Sequence, residues 1–231
     1  MKKWILQFVV VQLSMLSITQ VFAGNSKIDS DGKYLPFPGV TVVALTGDRN
    51  RDQFEKLFEA LKSHTLIHQY VSLVPVHSYH MTTQNLFVEA DAGTLTFQGF
   101  IERNLPLISQ LKNKIDSNRF KPAVQIVQSR AGGALTLMLK LDPAQDAKLK
   151  EISKEFDLTS KLPPFHHITL GYFFKKTPES TKKLITSLVD ELVATQFPVG
   201  KNELILDEPE LNYFLDMTAY YPWDGKHYPF D

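Results

Sequence analysis

The sequence contains no cysteine. Without thiols the chain has no disulfides, no thiolate-bound metal and no lipid-modified cysteine. It also lacks an excess of charge of either sign, with 25 basic and 25 acidic residues. A protein that binds nucleic acid over a broad surface is expected to carry a basic stripe, so this balance argues against that class. Any phosphate ligand must therefore be held by a local site.

The N-terminus has the pattern of a secretory signal peptide. Lys2 and Lys3 form a basic start, the stretch 4–18 is mostly apolar, and small or aliphatic residues precede a cleavage site after Ala23. An uncleaved membrane anchor is the alternative, but a spanning helix needs about 20 apolar residues and this run is shorter. We therefore predict a signal peptide over 1–23 and an exported protein, periplasmic or secreted, with no stable membrane association after cleavage.

The remaining chain predicts one domain after a short leader. Residues 24–33 are small and polar, which favours a flexible leader, and 34–231 is long enough for a substantial core. Over 94–100 apolar and polar residues alternate, which favours a strand. Over 104–115 apolar residues recur at helical spacing, which favours a helix with Pro106 in its first turn.

The order of predicted elements repeats within this domain. Strand, helix and strand follow one another twice, first over 40–45, 51–62 and 70–83, then over 134–141, 144–156 and 165–173. The repeat predicts an α+β fold with two pseudo-symmetric lobes, each a largely antiparallel sheet with helices on its outer face. The last strand of each repeat would then face a central cleft.

Those two strands carry the same short motif, His-x-Thr. It occurs as His80 and Thr82, and again as His167 and Thr169. Residues i and i+2 of a strand lie on one face, about 7 Å apart. With seven histidines in the chain, about one such match should occur by chance, so a single motif is weak support. Two motifs at equivalent places in a repeat are stronger support for one shared site.

These side chains are suited to phosphate chemistry. Two imidazoles with pKa values near neutrality can act as a general base and a general acid. Threonine hydroxyls can donate hydrogen bonds to phosphate oxygens, where negative charge grows during the reaction. A purely structural use of both histidines is the alternative, because strand histidines often only satisfy hydrogen bonds at the margin of a core.

The two motifs identify a family resemblance. The chain resembles the 2H phosphoesterase superfamily, which has two His-x-Thr/Ser motifs on symmetric lobes and includes LigT-like 2′-5′ RNA ligases and cyclic phosphodiesterases. The stretches 36–43 and 165–172 look most like a largely uncharacterised branch of it. The resemblance extends over about residues 34–195.

The resemblance implies a metal-independent phosphodiesterase without a cofactor, which acts on a cyclic or 2′-5′ phosphodiester of a nucleotide or RNA end. We also expect a monomer. The resemblance further implies that His80 and His167 are catalytic and that Thr82 and Thr169 bind the substrate phosphate. It leaves open which histidine is the acid, which is the base, and what the substrate is. A non-catalytic protein that binds nucleotides or RNA ends is the alternative from another class.

A third hypothesis is a metal-dependent hydrolase. His77 and His166 neighbour the two motif histidines, and histidine is a common metal ligand. The sequence shows no carboxylate at zinc-ligand spacing beside them, which argues against this site. Alternation predicts that His77 and His166 point to the opposite strand face.

Aromatic residues near the motifs are candidates for binding a base. Phe165 and Phe173 are predicted to share the face of the second motif, where an aromatic ring could stack on a nucleobase. Packing in the core is the alternative for both. Tyr220, Tyr221 and Trp223 in the aromatic C-terminal tail are further candidates to cover the cleft, or to pack on the surface.

Overall fold

A computed structural model of the protein describes residues 26–198 and 203–230. The predicted signal peptide lies outside these residues. The strands are β1 (Gly39–Leu45), β2 (Val71–Leu73), β3 (His80–Val88), β4 (Ala123–Ala131), β5 (Ala134–Leu141), β6 (His167–Phe173), β7 (Glu203–Ile205), β8 (Glu210–Phe214) and β9 (Tyr221–Pro222). The α-helices are α1 (Arg51–Ser63), α2 (Thr65–Tyr70), α3 (Phe97–Ser117), α4 (Pro143–Glu155) and α5 (Glu179–Gln196). No helix within this described part combines the length and the apolar character needed to cross a membrane.

The strands form one antiparallel sheet with an internal symmetry. Their order is β7-β4-β5-β6-β3-β1-β8-β9, and β2 pairs separately with β6. We call β3, β1, β8 and β9 the first lobe, and β6, β5, β4, β7 and β2 the second. The lobes meet where Met81 of β3 pairs with Ile168 of β6. The predicted α+β fold with two related lobes is confirmed, and the two motif strands lie side by side at its centre.

The helices exchange partners between the two repeats. Helix α1 follows β1 of the first lobe, yet it packs against α5, which lies on β4 of the second. Helix α4 follows β5 of the second lobe, yet it packs on β3 of the first. Buried Leu57 and Val189 therefore share one core with Leu137, whereas Ile108 and Ile152 belong to the other core. Full burial of each such side chain stabilises the fold by about 1.5–3 kcal/mol.

Local signals explain where two helices begin. The carboxylate of Asp142 accepts the backbone N–H groups of Ala144 and Gln145, and Pro143 occupies the first turn of α4. The start of α3 differs from the prediction. The hydroxyl of Thr96 accepts the N–H of Gly99 at 3.1 Å, so the helix begins at Phe97 and the predicted strand over 94–100 is wrong.

The segment predicted as a flexible leader is folded onto the protein from residue 26. Ile28 pairs with Tyr34 in a β-bridge and is only 8% exposed. The carboxylate of Asp29 accepts the N–H groups of two residues within the turn. The hydroxyl of Tyr34 donates to the carbonyl of Ser72 in β2 at 2.8 Å. We call residues 26–34 the N-terminal strap, because this turn is tied to the second lobe.

Candidate active site

A cavity of about 370 Å³ lies where the two lobes meet. His80, Thr82, His167 and Thr169 all line it. The structure therefore brings together the four motif residues that the sequence placed in one site. Their roles in catalysis and in phosphate binding stay predictions.

Strand alternation accounts for this convergence. Met81 and Ile168, the central residues of the two motifs, are fully buried and pair with each other between β3 and β6. Because neighbouring side chains of a strand point to opposite faces, the histidine and threonine on either side of each central residue face the cavity. The core side of the sheet thus sets which side chains reach the site.

His80 is held in one orientation and in its neutral form. Its Nδ1 donates a hydrogen bond to the carbonyl of Ser78 at 2.7 Å. The ring of Tyr220 packs against it, with 4.1 Å between ring centroids. Burial lowers the pKa of His80 to about 4, although the Ser78 carbonyl acts in the opposite direction. Since Nδ1 carries the proton, the lone pair of the neutral ring is on Nε2.

His167 repeats this arrangement less tightly. Its Nδ1 donates to the carbonyl of Phe165 at 3.3 Å, again two residues before the histidine. Burial lowers the pKa of His167, and the Phe165 carbonyl partly opposes this effect. Both motifs therefore present an imidazole with Nε2 available for proton transfer.

The two candidate stacking residues have different positions. The ring of Phe165 lies 5.3 Å from that of His167, with the Arg130 guanidinium 5.0 Å over the Phe165 ring. Its role in binding a base stays a prediction. Neither phenylalanine is among the residues that line the cavity. Phe173 packs against the hydrophobic core, so its predicted placement on the face of His167 is wrong.

A β-bulge in β6 is the reason for this difference. Leu135 pairs with Gly171 but the next residue of β5 pairs with Thr169, so Leu170 has no partner in β5. An extra residue reverses the alternation beyond it. Tyr172 consequently lines the cavity in place of Phe173.

Two further cavity residues lie outside the two His-x-Thr motifs. Lys27 of the strap lines the cavity, and its Nζ donates to the hydroxyl of Tyr172 at 3.5 Å. Burial lowers the pKa of Lys27 and raises the pKa of Tyr172 to about 12. Neither residue was predicted from the sequence. Lys27 lies in a short polar segment without periodicity, and the orientation of Tyr172 depends on the bulge.

Of the three aromatic residues of the C-terminal tail that were candidates to cover the cleft, one lines the cavity. Tyr220 lines the cavity beside His80, and burial raises its pKa well above the usual value. Tyr221 is exposed at the surface. Trp223 is buried in the core of the first lobe, where its Nε1 donates to the carbonyl of His227.

The histidines considered as metal ligands lie apart. His77 is exposed and lines a different cavity, in a 3-10 turn rather than in a strand. His166 is 3.1 Å from a carboxylate oxygen of Asp146, which also binds Lys150. Within the part of the chain that the structure describes, no group of three or more His, Asp or Glu side chains could hold a metal ion.

The residues that line the cavity include one ion pair. Nζ of Lys161 lies 3.2 Å from a carboxylate oxygen of Asp91 and 4.9 Å over the ring of Phe87. Asp91 is the one carboxylate among the residues lining the cavity, whereas Lys27 and Lys161 are both cations. The site thus combines two imidazoles, two hydroxyls and an excess of positive charge, which suits an anionic ligand.

A family model and a viral protein are similar in sequence to this chain. A family model described as "2H-phosphodiest: Domain of unknown function (DUF1868)" matches residues 27–126, which include the first motif. Uncharacterized protein 127L of Invertebrate iridescent virus 6 is 25% identical over 226 residues, covering 86% of this chain and 94% of that protein.

Solved structures provide a comparison of the fold. A conserved protein of unknown function, ATU0111 from Agrobacterium tumefaciens, has a TM-score of 0.63 and 17% identity, over 86% of this chain and 89% of that one. This likeness shows the fold alone. Usb1 of Kluyveromyces marxianus, solved with uridine monophosphate, has a TM-score of 0.45 and 13% identity, over 81% of this chain and 98% of that one. This structural similarity is too low to support any statement about the site.

Proposed function

We propose that this chain is a metal-independent phosphodiesterase of the 2H phosphoesterase superfamily, whose family model matches residues 27–126. This match supports a phosphodiesterase-type activity. The finer proposal is cleavage of a cyclic or 2′-5′ phosphodiester of a nucleotide or RNA end. The observation that carries it is the pair of His-x-Thr motifs lining one cavity at the junction of the lobes.

We assign His80 as the general base and His167 as the general acid of hydrolysis. His80 is neutral with Nε2 unprotonated, because burial lowers its pKa to about 4. In this role it removes a proton from water as the water oxygen bonds to phosphorus. The bond from phosphorus to the leaving ribose oxygen breaks, and His167 donates its proton to that oxygen.

The threonines stabilise the charge that develops in this step. Thr82 and Thr169 each lie two residues after a motif histidine on the same strand face. Their hydroxyls donate to the non-bridging oxygens, which gain negative charge as the water attacks. A water molecule can replace part of each contribution, so we expect the threonines to matter less than the histidines.

A non-catalytic binder of nucleotides or RNA ends is the second candidate. It is favoured by one observation, that the pKa values of both His80 and His167 are lowered by burial. At neutral pH the free protein would then hold few imidazolium ions to act as an acid. A bound phosphate dianion would raise both pKa values, so the two candidates differ in turnover and not in ligand class.

The deciding experiment is a substrate screen with matched controls. Purified protein is incubated with 2′,3′-cyclic nucleotides, RNA ending in a 2′,3′-cyclic phosphate, and 2′-5′-linked oligonucleotides, each with and without EDTA. Hydrolysis that His80→Ala abolishes and EDTA leaves unchanged supports the proposal. Binding of these compounds without turnover supports the second candidate, and loss of activity in EDTA with rescue by zinc supports a metal enzyme.

Export and a monomeric state are also proposals. The mature protein should begin at Gly24 if the signal peptide is removed after Ala23. Mass spectrometry of the protein from the culture medium or periplasm tests the first, and light scattering tests the second. Full-length protein confined to the membrane fraction would favour an anchor.

A further inference from the structure

Lys27 is a cation inside the cavity without an acidic partner. None of the ion pairs found among residues 26–198 and 203–230 involves it. Its Nζ instead lies 5.0 Å over the ring of Phe37 and 5.3 Å over that of Tyr172. Burying an unpaired ammonium costs free energy, and burial correspondingly lowers its pKa. An anion bound beside it would offset this cost.

The strap holds this ammonium group in place. Ile28, the next residue, is buried and pairs with Tyr34. On the other side of the turn, the hydroxyl of Ser72 in β2 donates to the carbonyl of Gly32 at 2.8 Å. Because these contacts tie the strap to β2, the position of Lys27 is set before any ligand binds, which lowers the entropy cost of binding.

Lys27 also interacts with both halves of the reaction centre. Its positive charge lowers the pKa of His80 and of His167. The hydroxyl of Tyr172 accepts the hydrogen bond from Lys27 and also interacts with the hydroxyl of Thr169. Lys27 thus acts on both imidazoles through its charge, and its hydrogen bond to Tyr172 connects it to Thr169, a candidate for phosphate binding.

We propose that Lys27 binds a non-bridging oxygen of the scissile phosphate, so that the N-terminal strap supplies a third element of the active site beside the two motifs. This inference rests on the proposed function, since it assumes that the cavity binds a phosphate. An ammonium group offers three donors and a compact charge, which suits an oxygen that gains charge during the reaction. Because Lys27 lines the same cavity as both motif histidines, the scissile phosphate is favoured over a second phosphate elsewhere in the substrate.

The test measures binding of inorganic phosphate to the full mature chain by isothermal titration calorimetry. Lys27→Met removes the charge and keeps an unbranched chain of similar length. Lys33→Met is the matched control, because Lys33 belongs to the same strap but is exposed. We expect Lys27→Met to weaken phosphate binding about 10- to 100-fold, the usual range for a hydrogen bond to a charged group, and Lys33→Met to leave it unchanged.

Two further measurements separate ligand binding from a structural role. The melting temperature of Lys27→Met should equal or exceed that of the unaltered protein, because an unpaired buried cation is removed. NMR titration of the imidazoles should show the pKa of His80 and of His167 both rising in Lys27→Met. The other charged groups that lower these pKa values are kept in this variant, namely His167 acting on His80, and His166 and Arg130 acting on His167. The ring of Tyr220 that packs against His80 is kept as well.

Failure of the Lys27 inference and failure of the phosphodiesterase proposal give different experimental results. Equal phosphate affinity in Lys27→Met and the unaltered protein would overturn the inference and leave the phosphodiesterase proposal standing. Failure of the unaltered protein to bind phosphate would also overturn it. If Lys27→Met weakens phosphate binding but no diester is cleaved by the unaltered protein, the anion site stands and the enzymatic proposal fails.

Discussion

The two motif histidines share a backbone anchor but differ in their surroundings. Each donates Nδ1–H to the carbonyl two residues earlier, which is Ser78 for His80 and Phe165 for His167. The ring of Tyr220 packs against His80 at an interplanar angle of 55°, whereas Phe165 lies beside His167. The shared anchor sets the same tautomer in both rings, and the different neighbours allow the two pKa values to differ.

Removing either imidazole should remove one proton transfer. We expect His80→Ala and His167→Ala each to lower kcat/KM by about 10²- to 10⁴-fold on the substrate found by the screen. Because both act in one transition state, the double variant should be little worse than the worse single variant. His68→Ala, at an exposed histidine outside the cavity, is the control. Unchanged activity in His80→Ala would place the chemistry elsewhere in the chain.

The lowered pKa values predict an acidic pH optimum. A general base must be deprotonated, so kcat/KM should rise with pH through the His80 pKa of about 4. A general acid must be protonated, so kcat/KM should fall as pH passes the His167 pKa, which burial lowers below 6.5. We expect a bell-shaped profile with its maximum between these limits, measured with a non-titrating substrate. A maximum above pH 7 would contradict the assignment of these groups.

Removing the Lys27 charge should shift this profile. Because that charge lowers both histidine pKa values, both limbs should move to higher pH in Lys27→Met. Lys33→Met should keep the original profile. A shift of one limb alone would mean that Lys27 acts on one histidine only.

At the scale of elements, strand β6 depends on a close contact with β2. A Cβ atom at Gly171 would lie 2.5 Å from the carbonyl oxygen of Ser72 and 2.7 Å from Cγ1 of Val71. Only glycine therefore permits this approach of the two strands. Gly171 directly follows Leu170, the bulge residue that has no partner in β5. The same contact connects the bulge to the strap, because Ser72 also binds Tyr34 and Gly32.

Gly171→Ala should therefore affect both stability and the site. We expect a loss of about 1–3 kcal/mol in the free energy of unfolding, since β2 must move to make room for the methyl group. Gly133→Ala is the control, because a Cβ at Gly133 in the β4–β5 turn meets nothing within 4 Å. Urea unfolding measures both. Equal stability of the two variants would show that β2 is free to move.

At the scale of the whole molecule, the exchanged helices join the two lobes. Helix α1 follows β1 but covers the second lobe with α5, and α4 follows β5 but packs on the first lobe. The pair Met81–Ile168 adds a connection through the sheet itself. Each core therefore contains residues from both repeats, so we expect the lobes to unfold together.

Truncation in either core should lower the same unfolding transition. Leu57→Ala in α1 and Ile108→Ala in α3 each remove a fully buried side chain, one from each core. Each should cost about 2–5 kcal/mol while the protein keeps a single transition by circular dichroism and by tryptophan fluorescence. Two separate transitions, each moved by one variant only, would show that the lobes are independent units.

Features that depend on local backbone geometry could be predicted from the chain's residue order. Alternation along a strand is a property of the backbone, so the side chains that accompany His80 and His167 on one face followed from their spacing. The repeated order of strand, helix and strand likewise indicated two related lobes around a cleft. These inferences needed no knowledge of which strands pair.

Features that depend on distant contacts could be read from the folded chain alone. The bulge at Leu170 arises from the pairing of β6 with β5. Because of this bulge, Tyr172 and not Phe173 lines the cavity. Lys27 reaches the site because the strap docks on β2, a contact that composition does not encode. Pairing register and docking are set by packing between residues far apart in the chain, and single-sequence patterns contain no direct signal of either.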